Sequence, residues 1–442
     1  MGMTGKLKHH SLTGRITIEL LAKAFKRVKR NKGAAGVDRV SIEQYENNLG
    51  MNLAELMRLM KQRHRYHPKP NRRVWIAKTL SRRKGAPMRP LGIPGVRDRV
   101  AQEVVRQLLE PIFEPKFHPH SCGFRPNRGC HTAVQLVLAA KKQGLSIVVD
   151  ADIKGFFDNL PQDVMMNAVA EEVADGNILE IIRKFLSAGV MEDGKFIDTT
   201  RGTPQGGVIS PLLANIVLNR LDWALEQAGF YLVRYADDFV ILCRTLPDAE
   251  KALALVRTIL TELGLTLSEE KTKITSFEEH FDFLGFTFKP NAVVMRQKAV
   301  EKFKEKVRHI TRRTNGKNLD QTLAELNPLL RGVVNYYAKP YTRVLQCCRD
   351  WDKWVRHRLR YWKFKRARIN AHQRRRTSNR RYARKGLLSM YELACQRTQG
   401  SLQWGTDLGS PGARNTPAGK CGELTPPRQR EPGGPASGRP TV

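Results

Sequence analysis

The stretch RYADDFVIL, Arg234–Leu242, decides how this chain is read. Two adjacent carboxylates, Asp237 and Asp238, interrupt the strand-like run YLVRYADDFVILC and so fall at or near a hairpin turn. Two readings stand at this point, because Asp is a good turn former as well as a carrier of chemistry. Upstream, VVDADIKGFFD places Asp150 and Asp152 on one face of a strand, since side chains two apart point the same way. Acidic residues that end an apolar strand pack poorly. If that strand lies beside the hairpin, three or more carboxylates converge, and a divalent cation is the simplest way to neutralise them. Hard oxygen ligands completed by water and substrate phosphates describe Mg²⁺, and two such ions suit an in-line phosphoryl transfer. The competing reading, a solvated acidic edge, fits poorly in a protein this basic.

Across 442 residues, 77 Lys+Arg stand against 42 Asp+Glu, a formal net charge of +35. Self-repulsion on that scale needs a polyanionic partner, most plausibly nucleic acid, and argues against a purely small-molecule enzyme. A hydrophobic content of 41% excludes disorder throughout. The charge is concentrated: residues 291–385 hold 28 basic and 6 acidic side chains, against 43 and 32 in residues 1–290. From Gly400 to Val442 the chain has nine Gly and seven Pro in 43 residues, the composition of a flexible tail. Seven irregularly spaced cysteines give no disulfide framework, so a reducing interior is expected. No apolar run approaches the roughly 18 residues of a membrane span, and the protein is expected to stay in the cytoplasm.

Periodicity places the elements. Thr17 caps a helix striped by Leu21, Phe25 and Val28; a second follows Asp98 and is stopped by Pro111. RRVWIAK and RPLGIP read as short strands joined by a basic loop. Between Leu145 and Pro290, strands (LSIVVDADI, YLVRYADDFVILC, FDFLGFTF) alternate with helices such as PLLANIVLNRLDWALEQAG, opened by Ser210 and Pro211. The pattern predicts an α+β core. After Asn291 it turns helical again. In DWDKWVRHRLRYWKFKRARI, Trp351, Trp354, Val355, Leu359 and Trp362 form a stripe read as core rather than base-stacking platform, flanked by Lys353, Arg356, Arg360 and Lys363, which can grip phosphate. The cluster QRRRTSNRRYARKG, with Arg374, Arg375 and Arg376, is a separate basic contact. His118, His120, Cys122, Cys130 and His131 suit zinc in type but lack close cysteine pairs.

The ordered series RPLGIP, CGFRPNRGCHTA, VVDADIKGFFDNL, RGTPQGGVISPLLANIVLN, YADD, SEEKTKI and FDFLGF resembles the successive blocks of reverse transcriptases encoded by bacterial group II introns. NKGAAGVD at Asn31–Asp38 resembles the extra N-terminal block of that family, and LRGVVNYYAKPY at Leu330–Tyr341 its thumb or maturase region. Seven or more blocks in order are far more specific than any single motif.

The resemblance implies a right-hand polymerase, with fingers, a palm of antiparallel sheet and packed helices, and an α-helical thumb/maturase domain. The boundaries drawn are 1–50 for an N-terminal extension, 51–290 for fingers and palm, 291–370 for thumb/maturase, 371–399 for a basic DNA-binding segment and 400–442 for the tail. Carried across by position, Asp152, Asp237 and Asp238 would be the catalytic metal ligands for two Mg²⁺ ions, with the Ile153 carbonyl contributing and Asp150 and Asp158 supporting. Phe157 would pack under the sugar of the incoming nucleotide and exclude a 2′-hydroxyl; ordinary core packing is its alternative. Gln205 and Tyr235 would touch the nucleotide, and Lys78 and Arg89 would hold its triphosphate. The loop between those two cations is longer and more basic than the family's usual turn, so Arg82, Arg83 or Lys84 could stand in for Lys78. Arg125 and Arg128 would meet template phosphates, and GFRPNRGCHTA so explained leaves His118 and His120 as surface residues.

The implied partners are group II intron RNA, a DNA primer and target, and dNTPs, with no membrane and with nucleoid association when DNA is bound. Many relatives end in an endonuclease with paired cysteines; none is expected here, where Cys421 stands alone. The implied function is DNA synthesis on intron RNA together with RNA binding that assists splicing and mobility. The alternatives are an RNA-binding maturase without polymerase activity, or the reverse transcriptase of a retron, diversity-generating or CRISPR-associated system.

Overall fold

A computed structural model describes residues 8–77, 88–203, 206–312, 314, 316–364 and 377–399. Lys78, Arg82, Arg83, Lys84, Gln205, Arg374, Arg375, Arg376 and the tail from Gly400 lie outside these residues. The described residues form three sheets. In the first, β1 (Asn71–Ala77) and β2 (Met88–Ile93) form an antiparallel hairpin, and β1 continues in parallel with a later hairpin. The second carries the site. It contains β3 (Ile147–Asp152), while β4 (Val190–Glu192) and β5 (Lys195–Ile197) complete the first sheet in the order β2-β1-β4-β5. The hairpin of β6 (Tyr231–Tyr235) and β7 (Asp238–Cys243) pairs with β3, and β8 (Lys273–Ser276) lies on the other side of β3, all antiparallel. The third sheet holds β9 (Phe281–Phe283), β10 (Phe286–Lys289) and β11 (Ala292–Met295).

Both faces of the second sheet are covered, which is why LSIVVD and FVILC read as continuous apolar runs rather than alternating ones. Val149, Ala151, Phe239 and Ile241 face one core, against helices Ser210–Gln227 and Leu246–Glu262. Val148, Val233, Val240 and Leu242 face a second core, shared with helix Cys130–Lys142 and the phenylalanines of β9 and β10. Asp150, Asp152 and Asp238 lie on this second face by the two-residue repeat. They begin where its apolar cover ends.

The N-terminal helix Ile18–Arg30 packs on helix Val96–Phe113, with Thr17 capping as expected by accepting from the Leu20 amide. Helix Val96–Phe113 departs from expectation at both ends. It starts two residues before Asp98, whose buried carboxylate accepts instead from the Tyr66 hydroxyl and the Lys69 amide. It also runs past Pro111 to Phe113, because a proline in the last turn forfeits one amide donor without preventing helical φ in the next residues. Beyond β11, helices Gln297–Ile310, Leu319–Tyr337 and Leu345–Phe364 enclose a third core with Phe303, Leu326, Leu330, Val355 and Leu359. Trp351 is buried in that core, as its stripe predicted; Met390 and Ala394 of helix Met390–Gln399 are buried there too. No helix among the described residues is long and apolar enough to cross a membrane.

Candidate active site

Register brings the acidic residues together. Tyr235 pairs with Asp238 across a two-residue loop, Ala236-Asp237, and Asp238 lies directly opposite Asp152 on β3. Ala236 sits at φ 61°, the left-handed region an alanine rarely occupies, at the first loop position where tight hairpins demand it. Burial pushes the Asp238 carboxyl up to about 7, with Asp150, Asp237 and Asp152 adding repulsion. Asp150 is raised to about 6, again mainly by burial, although Lys273 and Arg296 pull it down. Asp237 is raised by burial and by Asp152, opposed by its own backbone hydrogen bond and by Arg89 and Lys271. Four carboxylates thus crowd one end of the sheet. Hard oxygen donors that repel one another fit a hard divalent cation. Among the described residues, no three His, Cys, Asp or Glu side chains already stand in a ligating arrangement.

One cation does reach the cluster: Lys271 Nζ donates to Asp152 Oδ2 at 2.6 Å. The segment that bears it is clamped to the end of β3, with the Ser268 amide on the Asp152 carbonyl at 2.8 Å and the Lys154 amide on the Thr266 carbonyl at 2.9 Å. Ile153 is buried at this point and bridges to Leu267. Sequence reasoning had SEEKTKI as a block but missed this contact, which spans 119 residues.

The profile of the family described as "Reverse transcriptase (RNA-dependent DNA polymerase)" matches residues 81–288, and that of the "Group II intron, maturase-specific domain" matches residues 300–383. Protein YkfC of Escherichia coli strain K12 is 34% identical over 310 residues, covering 60% of this chain and 79% of that protein. The chain belongs to the group II intron reverse transcriptase and maturase family. The intron-encoded protein LtrA of Lactococcus lactis subsp. cremoris is 39% identical over 211 residues, 47% of this chain and 33% of LtrA. This chain therefore spans four fifths of the first relative and a third of the second. A solved telomerase from Candida albicans overlaps at TM-score 0.41 and 14% identity, over 72% of this chain and 63% of that one.

As a reverse transcriptase, an RNA-directed DNA polymerase, the protein has further features beside the acids. Phe157 is half-buried, packs edge-on against Phe156 at 5.2 Å, and lines a cavity of about 260 Å³ with Arg73, Pro90, Arg201 and Thr203. Gly202 at φ 76° closes that cavity; a Cβ there would lie 2.6 Å from the Phe157 and Asp158 carbonyls. Arg89 is exposed on β2, close enough to Asp237 to lower its pKa. Tyr235 is half-buried, its phenol pushed up to about 12 by burial and by a hydrogen bond with Cys130.

The block CGFRPNRGCH behaves differently from its expected role. Arg125 is buried, with Nε and Nη2 on Glu114 and Nη1 on the His118 and Ser121 carbonyls at 2.7 and 2.9 Å. It braces the loop from within and has no face left for template phosphate. Arg128 is half-buried, with one donor on the Pro119 carbonyl. His118, expected at the surface, is buried against Trp223 and His120, and its Nδ1 accepts from the His120 amide at 3.0 Å. The geometry uses these histidines for packing.

In the maturase-specific domain, Lys353 is exposed and 3.6 Å from Asp350. Arg360 donates to the Thr377 carbonyl and to Asn379 Oδ1, so it ties the next segment down. Lys363 lies 5.8 Å over the Phe364 ring and Arg356 is half-buried.

Proposed function

We propose that the protein extends a DNA primer on the RNA of the group II intron that encodes it, using dNTPs and two Mg²⁺ ions, and that it binds the same RNA to assist splicing and mobility. The observation that carries the reading is the register that sets Asp152 opposite Asp238 with Asp237 in the adjoining loop. Asp152, Asp237 and Asp238 would hold the ions, with the Ile153 carbonyl contributing. When bound, such ions activate the primer hydroxyl and neutralise the leaving pyrophosphate.

The chain's own residues supply the rest. Arg89, with Lys78, offsets charge on the triphosphate. The Phe157 ring fills the space a 2′-hydroxyl would need, which selects dNTPs on steric grounds, while Gln205 and Tyr235 border the nucleotide. Lys271, at 2.6 Å from Asp152, holds that carboxylate in place and adds positive charge beside the reacting phosphates. Arg128, Lys353, Arg356, Arg360, Lys363 and the 374–376 arginines line the path of the duplex by backbone contacts, which position without reading sequence. Acting on intron RNA and DNA, the protein would work in the cytoplasm, at the nucleoid.

Primer extension by the purified chain on an RNA template, wild type against Asp237→Ala, tests the polymerase reading; equal activity would refute it. Splicing of the intron RNA with the same variant tests the second function. Survival of splicing with loss of extension is expected, because the substitution touches no RNA-binding residue.

A further inference from the structure

Behind the Ala236-Asp237 loop lies an ion pair with no solvent exposure on either side chain: Arg234 with Asp222. Arg234 Nε and Nη2 donate to both Asp222 oxygens at 2.7 and 2.6 Å. Its Nη1 donates to Asn215 Oδ1 and to the Ala236 carbonyl, each at 2.9 Å. Asp222 and Asn215 sit on one helix, Ser210–Gln227. The guanidinium is therefore a rigid fork with its handle in that helix and one prong on the loop.

A second brace reaches the same loop residue. Asn215 Nδ2 donates to the Gly123 carbonyl at 2.8 Å, and Gly123 packs so tightly that a Cβ on it would lie 2.3 Å from the Ala236 nitrogen. The strand-like segment bearing Gly123 is itself pinned to β6, by the Arg234 amide on the His120 carbonyl and the Cys122 amide on the Arg234 carbonyl.

A buried ion pair is a poor source of stability, since apolar replacement of both partners is often neutral or better. Ala236, meanwhile, holds a positive φ that costs energy and persists only where its surroundings over-determine it. We infer that Arg234 is a positioning residue for catalysis: anchored by Asp222 and Asn215, with Gly123 packed against the same loop, it fixes the strained loop so that Asp237 and Asp238 stand correctly toward Asp152. This rests on the polymerase reading above. Neither Arg234 nor Asp222 touches substrate; they act through the Ala236 carbonyl.

The test is the double variant Arg234→Met with Asp222→Leu, which removes both charges and leaves none buried alone. Melting temperature and RNA binding should stay near wild type. The maximal extension rate should fall about 100-fold, the cost of an ångström-scale misplacement of reacting groups, with little change in the KM for dNTP. Mn²⁺ titration without nucleic acid, followed by electron paramagnetic resonance, should show weakened binding at the carboxylates, which a merely structural role would not produce. A folded double variant with wild-type rate and wild-type Mn²⁺ binding overturns the inference. Should the double variant not fold, Gly123→Ala decides, because it presses on the Ala236 nitrogen of the same loop and leaves the ion pair intact. Reduced rate with weakened Mn²⁺ binding supports the inference; wild-type values for both overturn it. A wild-type protein that extends no primer at all would instead sink the polymerase reading.

Discussion

Asp238 carries its burial as a pH dependence. Its folded pKa of about 7 lies above the roughly 3.9 of an unfolded aspartate. The folded state therefore holds an extra proton between those limits, and the associated stabilisation, complete below about pH 4, is lost as pH rises through 7. Without divalent cation, the wild type should lose on the order of 2–4 kcal/mol relative to Asp238→Asn between pH 4 and 8. Urea unfolding at several pH values checks this; a pH-independent difference between the two proteins would contradict it. Asp150, at about 6, moves the same way. At Phe157, replacement by Val should raise ribonucleotide incorporation by roughly 10- to 200-fold, the range that a small change of pocket volume provides, as read by extension with rNTPs alone. The acids themselves were legible, because carboxylates inside an apolar strand have few other uses. Arg234 was not: a lone arginine in a strand reads as surface, and its partners Asp222 and Asn215 lie 12 and 19 residues away on a different element. Arg125 misled for the same reason, since nothing in GFRPNRG shows that its guanidinium turns inward to Glu114.

Asp352 shows the same economy in a helix. Its buried carboxylate, on helix Leu345–Phe364, accepts from the Met390 and Tyr391 amides at 2.8 and 3.1 Å and from the Ser389 hydroxyl at 2.9 Å. It thus caps helix Met390–Gln399 from a neighbouring helix. Asp352→Ala should cost about 2–3 kcal/mol and speed amide exchange across residues 390–399 while leaving the β3–β7 amides protected. Uniform protection in the variant would show that the cap is dispensable. At this scale the hairpins were the most legible elements: β1–β2, β6–β7 and β9–β10 fall on RRVWIAK/RPLGIP, YLVRYADDFVILC and FDFLGFTF. Their short apolar runs and the turn residues between them are local signals. The ends of helix Val96–Phe113 were not, because Asp98 has the look of a cap and is spent on Tyr66 and Lys69 instead.

Over the whole molecule, the excess of 28 basic over 6 acidic residues in 291–385 predicts binding dominated by phosphate neutralisation. RNA affinity should fall by about 10³ to 10⁵ between 50 and 200 mM salt, and charge removal at Lys353 should flatten the logarithmic salt slope by about 1. Filter binding across a salt series measures both; a slope unchanged by Lys353→Ala would take that residue out of the interface. The order β6-β7-β3-β8 has a consequence for synthesis as well. β3 is the inner strand, yet both of its neighbours are made after it, and 86 residues separate Asp152 from Asp238. At cellular elongation speeds of 5–20 residues per second, β3 waits roughly 4–17 s with both edges open. Unpaired edges invite pairing with foreign chains, so co-expressed chaperones that shield nascent strands should raise the yield of soluble protein more than any change of buffer.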